Sequence, residues 1–301
     1  MNSWSANTKK SYDPYLKEFA TYCSARHICI DDAFMGVEAG IDFLTHLFKV
    51  RKLSHSSVGN ARSALSPFIS VEGVPFGEHP WVTRLLKGMF RERPSLPKYT
   101  VTYDAGVVLD YLRGIPLENI TLKMLSHKLV TLMCFLTGQR DQTLNSLDMN
   151  FMHRTEEKYI FYLPTLLKTS TPKFHTKPLQ LLRYTTPSLC VVAHIDAYIE
   201  ATKHIRGDPA TLLVSMVPPH KKVTTTTISR WVKDTLEAAG INIKVFSSHS
   251  TRHSSTSLAK VKGLSLENIR DAAGWSNCTT FATFYDKPIV VGQNFGETIL
   301  S

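Results

Sequence analysis

The stretch HSTRHSSTSLAKVKGLSLENIRDAAGWSNCTTFATFYDKP, residues 249–288, decides how this chain is read. Its apolar spacing predicts helices over 251–262 and 266–274, and a short one over 280–284. Between and after them stand residues that carry chemistry. His249 and Arg252 lie one helical turn apart, Trp275 follows Gly274, and Tyr285 sits among the polar, turn-prone Asp286, Lys287 and Pro288. A guanidinium binds the non-bridging oxygens of a phosphate through a planar fork. A phenol becomes a covalent nucleophile once its proton is removed, an imidazole takes or shares that proton, and an indole N–H donates to developing negative charge. His249 and His253 are also spaced i, i+4 as a metal pair would be, but no third ligand stands at metal-motif spacing. A local packing role suits His253 better, and no metal or other cofactor is expected.

Upstream, two further residues extend the set. Arg140 follows Thr137-Gly138-Gln139, where Gly138 reads as the left-handed cap of an apolar helix over 122–136. Lys168 lies in the basic loop LLKTSTPKFHTKP, residues 166–178, directly after Leu166 and Leu167. Lys173 and Lys177 share that loop and could contact phosphate or take its place. The loop joins strand-like segments: 149–153 and 159–163 around a polar turn read as a hairpin, with a third strand at 179–182. Helices dominate again over 189–204 and 228–239, and a short one carries Leu144 and Leu147.

The first ninety residues read as helical throughout. Stripes run through Tyr12 to Tyr22, with Pro14 expected to start or kink that helix, then Val37 to Phe48, then Val58 to Phe68 behind Ser54, Ser56 or Ser57 as cap, and a short helix follows Pro80. Pro94 and Pro97 mark a linker at 94–101. The expected organisation is therefore a helical domain over 1–93 and a mixed α/β domain over 102–301, making the fold mainly α with a small antiparallel sheet.

With 35 Lys and Arg against 25 Asp and Glu, the 301-residue chain carries a formal charge of +10. The surplus is spread: residues 1–97 hold twelve basic against nine acidic residues. That pattern favours a polyanionic partner over a basic anchoring tail. No apolar run approaches the ~18 residues of a membrane span, and the five cysteines form no paired motif, so a soluble protein of a reducing compartment is expected.

In order, TGQR (137–140), Lys168, HSTRH (249–253), GW (274–275) and FYDKP (284–288) resemble the signature boxes of the tyrosine recombinases, the phage-integrase-like family. The N-terminal helices resemble that family's core-binding domain, which clamps DNA. The longer runs GQRDQTLNSLD and ISRWVKDTLEAAGI are similar to recombinases of DIRS-type eukaryotic retroelements, and less closely to Cryptons. The resemblance implies that Arg140 and Arg252 clamp a scissile phosphate and that Tyr285 attacks it, leaving a 3′-phosphotyrosyl link. It further implies Lys168 as general acid to the leaving oxygen, His249 as the proton-transfer partner of the tyrosine, and Trp275 as a phosphate donor where many relatives carry histidine. Double-stranded DNA is the implied partner, with Lys49, Arg51, Lys52, Arg62, Arg84, Lys87, Lys173 and Lys177 as candidate contacts. The implied assembly is a tetramer on paired sites, monomeric when free, acting in the nucleus without a membrane. Bacterial relatives carry an acidic residue where this chain has Thr143, and Asp141 stands two positions away from it in the helix. Two other readings use the same boxes: a DNA-binding protein that has lost catalysis, and a type IB topoisomerase.

Overall fold

A computed structural model describes residues 4–28, 33–95, 99–164, 170, 177–207, 210–277, 279 and 281–290. The chain divides into two compact units, Met1–Lys98 and Tyr99–Ser301.

The first unit holds α1 (Ala6–Ser24), α2 (Ala33–Lys49), α3 (His55–Leu65), the antiparallel strands β1 (Ser70–Val71) and β2 (Val74–Pro75), and α4 (Pro80–Glu92). Local sequence starts α1, α3 and α4. The Ser5 hydroxyl accepts from the Thr8 amide, Ser54 from the Ser57 amide and the His79 ring from the Trp81 amide, each meeting a backbone donor that the first turn leaves free, while Pro80 at the start of α4 lacks such a donor. Pro14 lies inside α1, so it does not start the helix. Pro14 lies on the exposed face, so the carbonyl that loses its helical partner can be hydrated. The apolar faces meet in a core of Phe19, Phe43, Leu44, Leu47, Phe48, Val58, Leu65 and Phe76.

The second unit opens with β3 (Thr102–Tyr103), α5 (Ala105–Arg113), α6 (Leu122–Thr137) and α7 (Asp141–Asn145). Then come β4 (Met152–Arg154), β5 (Lys158–Phe161) and β6 (Leu179–Leu182), an antiparallel sheet with Met152 opposite Phe161 and Ile160 opposite Gln180. This is the hairpin and third strand expected from sequence. Tyr159, Phe161, Leu179 and Leu181 face inward while their neighbours do not, the period-2 alternation of a sheet with one covered face. α8 (Val191–Thr202), α9 (Thr225–Ala238), α10 (Ser250–Val261) and α11 (Leu266–Ala273) follow, then a π-helical turn over Phe281–Tyr285 and β7 (Ile289–Val290).

α6 is the centre of this unit. Twelve of its sixteen residues are buried, Leu125, Leu129, Leu132 and Met133 among them, and α8, α9 and α10 pack around it. The fold is mainly helical with small antiparallel sheets. One pairing was absent from the sequence reading: β7 lies parallel to β3, with Thr102 opposite Ile289. No described helix is long and apolar enough to cross a membrane.

Candidate active site

Two left-handed glycines fix the floor of the site. Gly138, at φ 58°, ends α6, and Gly274, at φ 67°, ends α11. A β-carbon on Gly138 would lie 3.3 Å from Thr256 Cγ2, and one on Gly274 would lie 3.0 Å from the Gln139 side-chain nitrogen. The two helix ends are therefore close enough for the buried Gln139 to latch them. Its Nε2 donates to the Ala272 carbonyl at 2.7 Å, and its Oε1 accepts from the Thr143 hydroxyl at 3.1 Å. This latch turns the chain so that Arg140, half-buried and in extended conformation, caps α7.

Arg252 lies in the first turn of α10 and is only 1% exposed. Its Nη2 donates to the Ala273 carbonyl at 3.1 Å, while Nε and Nη1 are buried with no partner in the protein. Burial, followed by the charge of Arg140, pulls its pKa down to about 10, and the neighbouring Tyr285 offsets part of that fall. Two like charges are thus held together on a dry floor, where each unpaired buried donor costs about 1–3 kcal/mol.

Tyr285 ends the π-helical turn and is 8% exposed. Its hydroxyl lies 3.2 Å from His249 Nε2. The Trp275 and His253 rings each stand 4.6 Å from its own, the latter stacked at 27°, and the Arg252 guanidinium carbon is 5.3 Å from its centroid. Trp275 also lies 4.9 Å from that guanidinium and keeps its indole N–H buried without a protein partner. Burial and the nearby charges of His249, Lys287 and Arg252 depress His253 to about 4, so it is neutral at physiological pH. The main chain of Tyr285 is tied down as well. The Ser257 hydroxyl donates to its carbonyl at 3.0 Å and accepts from the Lys287 amide at 3.2 Å. Asp286 pairs with Lys260, and the Thr102 amide donates to the Pro288 carbonyl at 2.9 Å.

Arg140, His249, Arg252, Trp275 and Tyr285, scattered over 146 positions of sequence, are thereby brought to one place. Lys168 and Lys173 lie outside the described residues. Lys177 is exposed and pairs with Asp271 at 2.7 Å. In the first unit, Lys49 pairs with Glu92 and Arg51 with Glu18, Arg62 donates to the Gly77 carbonyl at 3.0 Å, and Lys52, Arg84 and Lys87 are exposed. His55, Arg62, Lys87 and Arg91 line one groove between α3 and α4. Among the described residues no three His, Cys, Asp or Glu side chains are grouped to hold a metal ion.

The sequence reading missed what supports the site. His253 was expected to pack locally, and it packs on Tyr285 itself. Gln139 and Ser257 carry no sequence signal beyond lying within the TGQR box and one turn beyond HSTRH.

Residues 117–288 match the phage integrase family. That is more than half of the chain. The chain belongs to the phage integrase family, the tyrosine recombinases. Among curated protein sequences none matches significantly. Among solved structures, the Tn1549 transposon integrase in complex with transposon right end DNA is similar at TM-score 0.64 and 16% identity, covering 99% of this chain and 93% of that one. The XerH site-specific recombinase bound to difH substrate is similar at TM-score 0.61 and 16% identity, covering 91% and 76%. A lambda integrase dimer bound to a COC′ core site is similar at TM-score 0.55 and 13% identity, covering 97% and 93%. At these identities the likeness concerns the fold.

Proposed function

We propose that this recombinase is catalytically active, cleaving and rejoining DNA at specific sites and integrating the DNA of a mobile element of the DIRS type. The observation that carries the reading is the 3.2 Å contact between the Tyr285 hydroxyl and His249 Nε2 beside the buried Arg252 guanidinium. Arg140 and Arg252 hold the scissile phosphate, and the unpartnered Nε and Nη1 of Arg252 and Nε1 of Trp275 donate to its oxygens. Tyr285 passes its proton toward His249 as the phenolic oxygen bonds to phosphorus. The bond from phosphorus to the 5′ oxygen breaks, and Lys168 protonates that oxygen. The product is a 3′-phosphotyrosyl link and a free 5′-hydroxyl. Because the link conserves the phosphodiester's energy, a second 5′-hydroxyl can displace Tyr285 without a nucleotide cofactor.

The basic groove of the first unit fits duplex phosphates, whose neutralisation gives salt-dependent affinity. A tetramer on paired sites, working in the nucleus, completes the proposal; the solved structures include a lambda integrase tetramer bound to a Holliday junction.

The test uses a library of duplexes with randomised cores, each nicked so that the cleaved fragment diffuses away. The expected result is an SDS-resistant adduct mapped to Tyr285, enriched for one core sequence and absent in Tyr285→Phe, which still binds DNA. No adduct from any core would point to a silent DNA-binding protein and overturn the reading. Adducts on every core, with relaxation of supercoiled plasmid, would point to a topoisomerase instead.

A further inference from the structure

The site gathers Arg140 and Arg252, and one carboxylate stands against them. Asp141 is the first residue of α7, directly after Arg140. The buried Ser248 hydroxyl donates to its Oδ2 at 3.3 Å, and Ser248 is bonded in turn to the Ser229 hydroxyl of α9 at 2.5 Å. Ser248 is the residue before His249, whose ring faces the nucleophile. Its carbonyl accepts from the Thr251 hydroxyl at 2.8 Å and from the Thr251 amide at 3.1 Å, which fixes the entry of α10.

We infer that Asp141 is a positioning residue for strand cleavage: through Ser248 it sets His249 against Tyr285, and its charge balances the paired guanidiniums. The inference rests on the recombinase reading of the site and deepens it. Thr143 cannot serve in this way, because it is 3% exposed and its hydroxyl is committed to the Gln139 latch. Separation along the helix does not keep Asp141 from the site, since α7 is a five-residue turn and Ser248 comes to meet the carboxylate.

The groups facing Asp141 are Arg252 in the first turn of α10, Ser248 two residues before that helix, Ser229 of α9 and the buried Cys134 thiol of α6. Burial raises the Asp141 pKa, while the Ser248 hydroxyl and the charge of Arg252 pull the other way. The carboxyl therefore takes up its proton at a higher pH than an exposed aspartate, and the working, ionised form is lost as pH falls.

Asp141→Asn keeps the shape and the acceptor for Ser248 and removes the charge. Single-turnover cleavage of the nicked core selected by the wild-type protein should slow by about tenfold or more, with DNA affinity and melting temperature unchanged. The part of the wild-type acid limb that belongs to Asp141 should be missing from its pH profile. Wild-type rate at every pH in Asp141→Asn would overturn the inference. Should Asp141→Asn fail to fold, Ser248→Ala decides: without its donor the carboxylate protonates more readily, so the acid limb should move to higher pH and the rate should fall. An unmoved limb with an unchanged rate would overturn the inference. Absence of any adduct from the wild-type protein would count against the recombinase reading, whereas a wild-type adduct with no effect of either change would count against Asp141 alone.

Discussion

Trp275→Phe separates the packing role of the indole from its donor role. In the protein alone, Trp275 is 2% exposed, lies against Tyr285 and Phe281 at 4.6 and 5.8 Å, and holds a buried N–H with no protein partner. A phenyl ring retains much of that aromatic contact. Shrinking the ring opens a small void, which costs stability in proportion to its volume. Removing the unpaired donor returns about 1–3 kcal/mol. These effects oppose one another, so the melting temperature should move by no more than a few degrees. The transition state has no such compensation. If the indole N–H donates to the phosphate as negative charge develops, its loss removes a charge-assisted bond worth about 1.5–3 kcal/mol, or roughly a ten- to 150-fold slower single-turnover cleavage. DNA affinity, set by many phosphate contacts, should change little. The assay is the adduct time course on the selected core, read beside thermal unfolding and a binding isotherm. Cleavage at the wild-type rate in Trp275→Phe would refute the donor role and leave Trp275 as core alone.

Three further outcomes are expected. Ser257→Ala breaks the two bonds that hold Tyr285 and Lys287, about 1 kcal/mol each; cleavage should slow, and the amide of Lys287 should exchange hydrogen faster, an unchanged exchange rate counting against the tether. His194 is fully buried, with burial first and then Lys128 holding its pKa at about 4; the unfolded chain therefore binds the extra proton between pH 6.5 and about 4, so stability falls with falling pH by ~3 kcal/mol across that window. Urea unfolding at both ends of the window should show His194→Leu losing less than the wild type, and an equal loss would contradict the assignment. Lys168→Ala should slow cleavage far more than it weakens DNA binding, whereas normal cleavage there with loss in Lys173→Ala would assign the general acid to Lys173.

What was legible in the sequence was whatever depends on local periodicity or on residue types with few other uses. The helices of both units, the β4–β5 hairpin and the grouping of Arg140, His249, Arg252, Trp275 and Tyr285 are of that kind, while Lys168 lies outside the described residues. What was not legible depends on distant contact. The β3–β7 pairing involves two residues per strand, too short to leave an alternating pattern. The Gln139 latch joins positions 139 and 272, and nothing local marks a glutamine as a bridge between helix ends. Pro14 does not start α1, which begins at Ala6 behind the Ser5 cap; where a helix starts is decided by its cap as well as by its proline.

The site is built at a loss that explains its chemistry. Burial, with the charge of Arg140 added to it, lowers the pKa of Arg252, and Nε and Nη1 of Arg252 and the indole N–H of Trp275 have no hydrogen-bond partner in the protein alone. Each of these costs weakens the protein by itself and is relieved by an anion with several oxygens. The relief is greatest when that anion carries the most charge, which for a phosphodiester under attack is the pentavalent transition state. Tyr285 is held between the Trp275 and His253 rings with its main chain bonded to Ser257. It is the partly unpaired Arg252 guanidinium and the adjacent nucleophile together, more than the overall charge of +10, that make strand cleavage the chemistry this fold is suited to.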